Sequence, residues 1–303
     1  MSATSTVGIC GLGNMGLVIA GRLAAARPVV GYDLDRGRVE AARTAHGVTA
    51  ADGLAGLGGL DLVLLSLPTP AASLEVAGTL AGTLPRGAVV VETSTVNPSD
   101  LQRCARVLEP RGVALVDAAI LSGVAQTAAG SATLLLGGAE EDLDHADSAL
   151  TPWSNTRTRL GPLGAGMATK VINNAVAHAV MVVLAEAGAL AAGAGVRRDQ
   201  LADLLARPDA GLIRPLTHRF AERVLHDGFE GGMPTEAARK DSVLALALAQ
   251  ETGVPLFAMQ AAHSVYEVAV AEELGRLDYA AVTTLWERWT GRPLADEDEG
   301  SAS

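Results

Sequence analysis

Aromatic residues are scarce in this 303-residue chain. Phe, Trp and Tyr make up 3% of it, although hydrophobic residues make up 49%. The core must therefore be built from Ala, Leu and Val, whose small side chains suit close helix packing. The length exceeds the usual size of one compact domain, so we expect two domains.

Cysteine and basic charge are also in short supply. Cys10 and Cys104 are too few for a disulfide framework and lack metal-ligand spacing, so we expect buried thiols in a reducing compartment. The net charge of −11, with no basic stripe, argues against nucleic acid and anionic lipid as partners. The histidines also lack metal-ligand spacing, and we assign no metal. The N-terminus has no basic segment before an apolar run, which predicts a cytoplasmic protein.

Short β-branched runs alternate with Ala/Leu-rich helical segments from residue 6 to about 138, as in a parallel sheet with crossover helices. The strand candidates are 7–10, 29–32, 62–66, 89–92, 114–117 and 132–137. After the glycine-rich segment 161–166 the periodicity is helical throughout. We therefore predict an α/β Rossmann dinucleotide-binding domain over 1–162, an all-helical substrate and dimerisation domain over 163–294, and a disordered acidic tail over 295–303.

One segment, 171–196, is apolar enough to raise the question of a membrane span. It contains four polar residues, Asn173, Asn174, His178 and Glu186. This pattern favours a long helix buried between the two domains, and we expect no membrane partner.

The predicted strand at 7–10 runs directly into a G-x-G-x-x-G fingerprint, Gly11-Leu12-Gly13-Asn14-Met15-Gly16. The first glycine permits a tight turn, the second lets a pyrophosphate approach the backbone, and the third lets helix and strand pack closely. Asp33 ends the second strand, where its carboxylate can accept hydrogen bonds from the adenosine ribose. Asp33 would repel a 2′-phosphate, which favours NAD, while the nearby Arg36 and Arg38 leave NADP possible.

Lys170 and Asn174 are four residues apart, on one face of the helix predicted after the glycine-rich segment. The stripe continues to His178, which either contacts substrate or is a hydrogen-bonded interior histidine. Burial of a lysine in an apolar helix lowers the pKa of its amine toward the working range of a proton donor or acceptor. The stripe therefore indicates a site for a small-molecule substrate.

Four motifs together resemble the β-hydroxyacid dehydrogenases, the family of 3-hydroxyisobutyrate dehydrogenase and tartronate semialdehyde reductase. They are the fingerprint at 11–16, the loop at 117–123, the run from Gly164 to Asn174, and the pair Lys240-Asp241. The resemblance covers nearly the whole chain. It implies NAD(P)-dependent hydride transfer between nicotinamide and a small β-hydroxyacid or its semialdehyde, in a homodimer or homotetramer.

The resemblance also implies roles for single residues. Lys170 matches the general acid or base, and Asn174 matches the asparagine that holds the lysine and the substrate. Lys240 matches a lysine near the nicotinamide end of the cofactor; its alternative is a surface lysine paired with a nearby carboxylate. The remaining cofactor contacts implied are Leu67, Pro68 and Thr95, in loops that follow strands.

The substrate loop departs from the family pattern Asp-x-Pro-Val-Ser-Gly-Gly. Leu121 stands at the serine position, and Ser122 and Gly123 occupy the two glycine positions. Met233 stands where members often carry Phe. These four residues and His178 are the predicted substrate contacts, and they suggest a more apolar pocket than is usual for a hydroxyacid.

Imine reductases share this architecture and have a similar apolar loop, but they usually carry Asp or Tyr where Lys170 stands. The lysine favours alcohol and carbonyl chemistry. Imine reduction and a non-enzymatic NAD(P)-binding protein are the alternatives.

Overall fold

The computed structural model describes residues 5–295 and divides into two compact units, Met1–Ala175 and Val176–Ser303. This division falls inside a long helix, later than the predicted boundary at 162, because the first turns of that helix pack on the sheet of the first unit. The predicted acidic tail, 295–303, lies outside the described residues apart from Ala295.

The first unit is built on one eight-stranded sheet. Its strands are β1 (Val7–Cys10), β2 (Val29–Tyr32), β3 (Thr49–Ala50), β4 (Leu62–Leu65), β5 (Val89–Glu92), β6 (Ala114–Ile120), β7 (Ala132–Gly137) and β8 (Ser154–Arg159). They lie in the order β3-β2-β1-β4-β5-β6-β7-β8. The order reverses direction at β1, as in doubly wound dinucleotide-binding folds. All six predicted strands form, and β3 and β8 are additional.

One strand pair corrects the prediction of a purely parallel sheet. β6 and β7 are antiparallel, while the other pairs are parallel. The connection between β6 and β7 holds only a five-residue helix. It is too short for the crossover that a parallel pair requires.

Helices cover both faces of this sheet. They are α1 (Asn14–Ala24), α2 (Arg36–His46), α3 (Pro70–Leu80), α4 (Pro98–Leu108), α5 (Val124–Ala128), α6 (Glu140–Leu150) and the start of α7 (Ala165–Gly193). The buried residues form two apolar clusters, one on each face of the sheet. Successive residues of β1 point to opposite faces, so that Ile9 belongs to one cluster and Cys10 to the other. Cys10 and Cys104 are buried free thiols, as predicted.

The second unit is helical over its described residues, 176–295. After α7 come α8 (Arg198–Leu205), α9 (Thr235–Thr252), α10 (Ala258–Ala271) and α11 (Thr283–Thr290). Glu186 of α7 is buried and accepts hydrogen bonds from the amides of Phe257, Ala258 and Met259, which satisfies the N-terminus of α10. α9 and α10 pack against each other.

Helix α7 is long and apolar enough, by length and composition, to cross a membrane. The core helix of a soluble protein passes the same test, but only 11% of the most apolar window of α7 is buried. Ile172 is 64% exposed, Val176 57% and Met181 61%. The prediction that this helix is buried is therefore wrong for the single chain. Its apolar residues lie all round the helix, and the other described residues cover only part of it.

Candidate functional site

The carboxyl ends of the parallel strands bring most of the predicted site residues of the first unit to one edge of the sheet. β1, β2, β4, β5 and β6 all run in the same direction, so the segments that follow them share that edge. Those segments are the fingerprint 11–16, Asp33, Leu67 with Pro68, Thr95, and the loop 121–123. Ligands of open α/β sheets bind beyond this edge.

The three glycines of the fingerprint have different surroundings. Gly11 has φ +96°, and a Cβ there would lie 2.1 Å from the Ser66 carbonyl oxygen. A Cβ at Gly16 would lie 2.0 Å from the Gly11 oxygen. At Gly13 the nearest heavy atom is a guanidinium nitrogen of Arg38, 3.7 Å away. The first and third glycines are therefore required by the protein's own packing, while the second leaves space for a ligand to approach the backbone.

A cavity of about 500 Å³ lies beside this turn and is lined in part by Gly13, Asp33, Leu67 and Pro68. The Asp33 carboxylate accepts hydrogen bonds of 2.8 Å from the amides of Leu12 and Asp35. These amides fix the carboxylate at the cavity wall, where it can accept hydrogen bonds from vicinal hydroxyls. Glycine turn, cavity and carboxylate together fit the adenosine and pyrophosphate parts of a dinucleotide.

A buried network joins two loops of the same edge. The Leu67 amide donates to Ser94 Oγ at 2.7 Å, and the Ser94 amide donates to Glu92 Oε1 at 2.8 Å. Burial raises the pKa of Glu92 to about 7, against the hydrogen bonds that it accepts from Ser94. Sequence reasoning singled out the neighbouring Thr95, which is exposed, and missed Glu92 and Ser94. A glutamate closing an otherwise apolar strand was the available signal.

The predicted substrate loop continues the pairing of β6 with β7. The Leu121 amide donates to the Thr133 oxygen at 3.0 Å, and the Thr133 amide donates to Ser122 Oγ at 2.9 Å. The Ser122 oxygen is thus already engaged with β7. Leu121 is 40% exposed and Gly123 immediately precedes α5, so the loop presents an apolar side chain at its surface.

Lys170 and Asn174 lie on one face of α7, within three turns of its start, and both are half-buried. Burial lowers the pKa of the Lys170 amine below its ordinary value. His178, the next residue on the stripe, is exposed and is therefore not an interior histidine. The amine is thus less basic than a surface lysine, as a proton acceptor near neutral pH requires.

Besides His178, two predicted site residues belong to the second unit. The Met233 amide donates to Asp278 Oδ2 at 3.1 Å, and Asp278 is fully buried. The side chain of Lys240 is 68% exposed, with its amine 3.2 Å from Asp241 Oδ1. Exposed pairs of this kind contribute little to stability. Sequence reasoning missed Asp278, because the Met233 amide that donates to it is 45 residues away in the sequence.

Lys170 and Lys240 are also the only lysines in the sequence, which otherwise uses arginine for its cationic side chains. Within residues 5–295, no three His, Cys, Asp or Glu side chains come together in a way that could hold a metal ion.

Two family profiles match consecutive parts of the chain. The NAD binding domain of 6-phosphogluconate dehydrogenase matches residues 6–161. The NAD-binding domain of NADP-dependent 3-hydroxyisobutyrate dehydrogenase matches residues 164–286.

Individual relatives match over nearly their whole length. A 2-(hydroxymethyl)glutarate dehydrogenase from Eubacterium barkeri is 29% identical over 96% of this chain and 98% of its own. An NAD-dependent L-serine dehydrogenase from Pseudomonas aeruginosa is 27% identical over 94% of this chain and 99% of its own. Among solved structures, an imine reductase from Pseudomonas sp. has a TM-score of 0.81 at 21% identity, covering 93% of this chain and 99% of that one. At that identity the likeness concerns the fold.

Proposed function

This chain belongs to the β-hydroxyacid dehydrogenase family and is an NAD(P)-dependent oxidoreductase, and we propose that it interconverts a small β-hydroxyacid and its semialdehyde. The substrates named for its relatives, 2-(hydroxymethyl)glutarate and L-serine, both carry a hydroxymethyl group beside a carboxylate. A substrate with that arrangement is the one we propose here.

One observation carries the proposal. The Lys170 amine is half-buried with a lowered pKa, on a helix whose first turn is held against the sheet that carries the dinucleotide fingerprint. A lysine at an ordinary surface position is protonated at neutral pH and cannot accept a proton. The burial of Lys170 therefore supports a role in proton transfer.

In the oxidation direction, the neutral amine of Lys170 accepts the proton of the substrate hydroxyl as the carbinol carbon is oxidised to a carbonyl. The nicotinamide, when bound, supplies the acceptor for the hydride. In the reduction direction the ammonium group of Lys170 returns the proton to the carbonyl oxygen. Asn174 shares the face of Lys170 and can donate a hydrogen bond that holds the substrate oxygen beside the amine.

We propose NAD as the preferred cofactor. Asp33 lies at the wall of the adenosine cavity with its carboxylate fixed by two amides. A 2′-phosphate at that position would meet a like charge. Arg38 lies 3.7 Å from Asp33 and reduces this repulsion, so the preference is one of degree.

We also propose that two copies of the chain associate through the exposed apolar surface of α7, formed by Ile172, Val176, Met181, Val182 and Val183. A helix of 29 residues with exposed apolar side chains all round it has to be covered by protein, and the exposed positions are therefore typical of an interface. The polar residues Asn173 and His178 on the same helix make lipid a poor partner. A second copy offers an identical helix and hence a self-complementary surface.

The test is a substrate panel offered to the purified chain with both cofactors. The panel contains L-serine, 3-hydroxyisobutyrate, 2-(hydroxymethyl)glutarate and one cyclic imine. We expect hydroxyacid oxidation with a lower KM for NAD than for NADP. Reduction of the imine alone would contradict the proposal and indicate an imine reductase. The observation that favours this alternative is the exposed apolar side chain of Leu121 in the substrate loop. Binding of NADH without turnover of any compound would indicate a non-enzymatic protein.

A further inference from the structure

The carboxylate of Asp117 connects the sheet directly to the helix that carries Lys170. Asp117 is fully buried in β6. Its Oδ1 accepts a hydrogen bond of 2.6 Å from the Gly164 amide, and its Oδ2 accepts one of 2.7 Å from the Met167 amide. These amides belong to the turn before α7 and to its first turn, where backbone donors have no partner inside the helix.

Two glycines, Gly137 and Gly166, lie against this carboxylate, and neither has room for a side chain. A Cβ at Gly137 would lie 2.4 Å from Asp117 Oδ1. A Cβ at Gly166 would lie 2.7 Å from Oδ2 and 2.3 Å from the Leu135 oxygen. The backbone of α7 therefore approaches β6 and β7 as closely as side-chain-free residues allow, and the carboxylate fills the space between them.

The strand register puts this contact next to the site. Asp117 pairs with Glu92, the last residue of β5, so it is level with the carboxyl edge of the parallel strands. Beyond Asp117, β6 continues to Ile120 and then to the substrate loop. Along α7, Lys170 follows Met167 by three residues, or about 4.5 Å of helix rise. One side chain thus holds both the strand that leads to the substrate loop and the helix turn that precedes the amine.

The burial of Asp117 has a cost. Desolvation raises the pKa of Asp117, and the hydrogen bonds from the Gly164 and Met167 amides act in the opposite direction. A helix of 29 residues that extends well beyond this contact does not depend on one cap for its existence. The contact instead fixes where the helix begins relative to the strands.

We propose that Asp117 is a positioning residue for the reaction: by holding the first turn of α7 on β6, it sets the place of the Lys170 amine relative to the cofactor and substrate loops. This inference rests on the proposed function, because it assigns Lys170 the proton transfer. A displacement of about 1 Å at a reacting group can lower a rate by about 100-fold.

The test compares Asp117→Asn with Glu186→Gln. Both substitutions replace a buried carboxylate that accepts amide hydrogen bonds at a helix N-terminus, but α10, which Glu186 caps, carries none of the predicted site residues. We expect Asp117→Asn to lower kcat for hydroxyacid oxidation about 100-fold with an unchanged Kd for NAD. Both variants should lower the melting temperature by similar amounts, and Glu186→Gln should leave kcat unchanged.

A second readout does not depend on turnover. Because the chain has only two lysines, reductive methylation with ¹³C-formaldehyde followed by an NMR pH titration reports Lys170 and Lys240 as separate signals, with the α-amine of the chain as a third. In Asp117→Asn the pKa of Lys170 should rise toward its ordinary value, since a loosened helix start admits water, while that of Lys240 stays constant. If the wild-type chain oxidises no hydroxyacid, the proposed function fails, and this titration still decides the role of Asp117.

Three results would overturn the inference: a wild-type kcat in Asp117→Asn, an unchanged Lys170 titration, or an equal loss of kcat in Glu186→Gln. If Asp117→Asn does not fold, Gly137→Ala displaces the carboxylate while keeping its charge, and the same two readouts apply. Unfolding of both variants would show that the carboxylate serves the fold itself and would also overturn the positioning role.

Discussion

Glu92 is a carboxyl group that the fold has almost entirely removed from water, with 1% of its surface exposed. Burial raises its pKa from 4.5 to about 7, so between these pH values the folded protein holds a proton that the unfolded chain releases. The resulting stabilisation is fully present below about pH 4.5 and is lost as the pH rises through about 7. At 1.36 kcal/mol per pH unit, the loss is on the order of 3 kcal/mol.

We therefore predict that Glu92→Gln flattens the pH dependence of stability, because glutamine does not titrate. Urea unfolding at pH 5 and pH 8 measures this. The wild-type chain should lose about 2.5 kcal/mol more between these two conditions than Glu92→Gln does, because part of the loss lies below pH 5. Glu109→Gln, a change at an exposed carboxylate, is the control and should follow the wild type. Identical pH slopes in Glu92→Gln and wild type would contradict the prediction.

At the residue scale, sequence reasoning found the groups that belong to a contiguous motif and missed those that act across the fold. Local patterns were enough to single out Gly11, Asp33 and Lys170 as candidates, and their roles stay predictions. The contacts of Asp117 could not, because its partner Gly164 is 47 residues away and the contact exists only once β6 and α7 are packed together.

At the scale of elements, the glycine turn between β1 and α1 contains one glycine that packing requires and one that only ligand binding would require. A Cβ at Gly16 would collide with the Gly11 oxygen, whereas a Cβ at Gly13 meets nothing closer than 3.7 Å. The second position is therefore open in the protein and leaves room for a ligand beside the backbone.

We predict that Gly13→Ala keeps the melting temperature within a few degrees of wild type but weakens NADH binding at least about tenfold, since the methyl group occupies the approach to the backbone. Gly16→Ala should lower the melting temperature by several degrees through overpacking. Thermal melts and NADH fluorescence titrations provide both measurements. Normal NADH affinity in Gly13→Ala would argue against a pyrophosphate at this turn.

The two strands that sequence reasoning missed have a common physical cause. β3 is two residues long and exposed, and β8 is an edge strand of mostly polar and charged residues, Ser154–Arg159. Neither has the apolar run that marks a covered strand. The direction of β7 could not be derived from composition either, because only the length of its connection to β6 decides it.

At the scale of the whole molecule, the apolar pattern of α7 predicted a helix buried between the two domains, whereas only 11% of its most apolar window is buried in the single chain. A helix that is apolar all round must be covered, yet the pattern does not say whether the same chain or another one covers it. The exposure of Ile172 and Met181 in the single chain leads to the proposal that a second copy does so. The domain boundary at 162 and the cytoplasmic location stay predictions.

We predict that the chain sediments as a dimer or larger oligomer in analytical ultracentrifugation at micromolar concentration. The double variant Val176→Glu with Met181→Glu should shift it toward monomer, because each carboxylate would be buried without a partner. Val107→Glu places the same charge at an apolar residue of α4 that is 37% exposed, and it should leave the oligomer intact. A monomeric wild-type chain would remove the proposed interface.

The proposed chemistry depends most directly on the Lys170 amine, and Lys170→Ala tests it. Turnover of the best hydroxyacid substrate and the Kd for NADH are measured in Lys170→Ala, with Thr169→Ala, an exposed neighbour on the same helix turn, as the control. The account predicts that Lys170→Ala lowers kcat by about 10²- to 10⁴-fold with an unchanged Kd, while Thr169→Ala behaves as wild type. Full turnover in Lys170→Ala would contradict it.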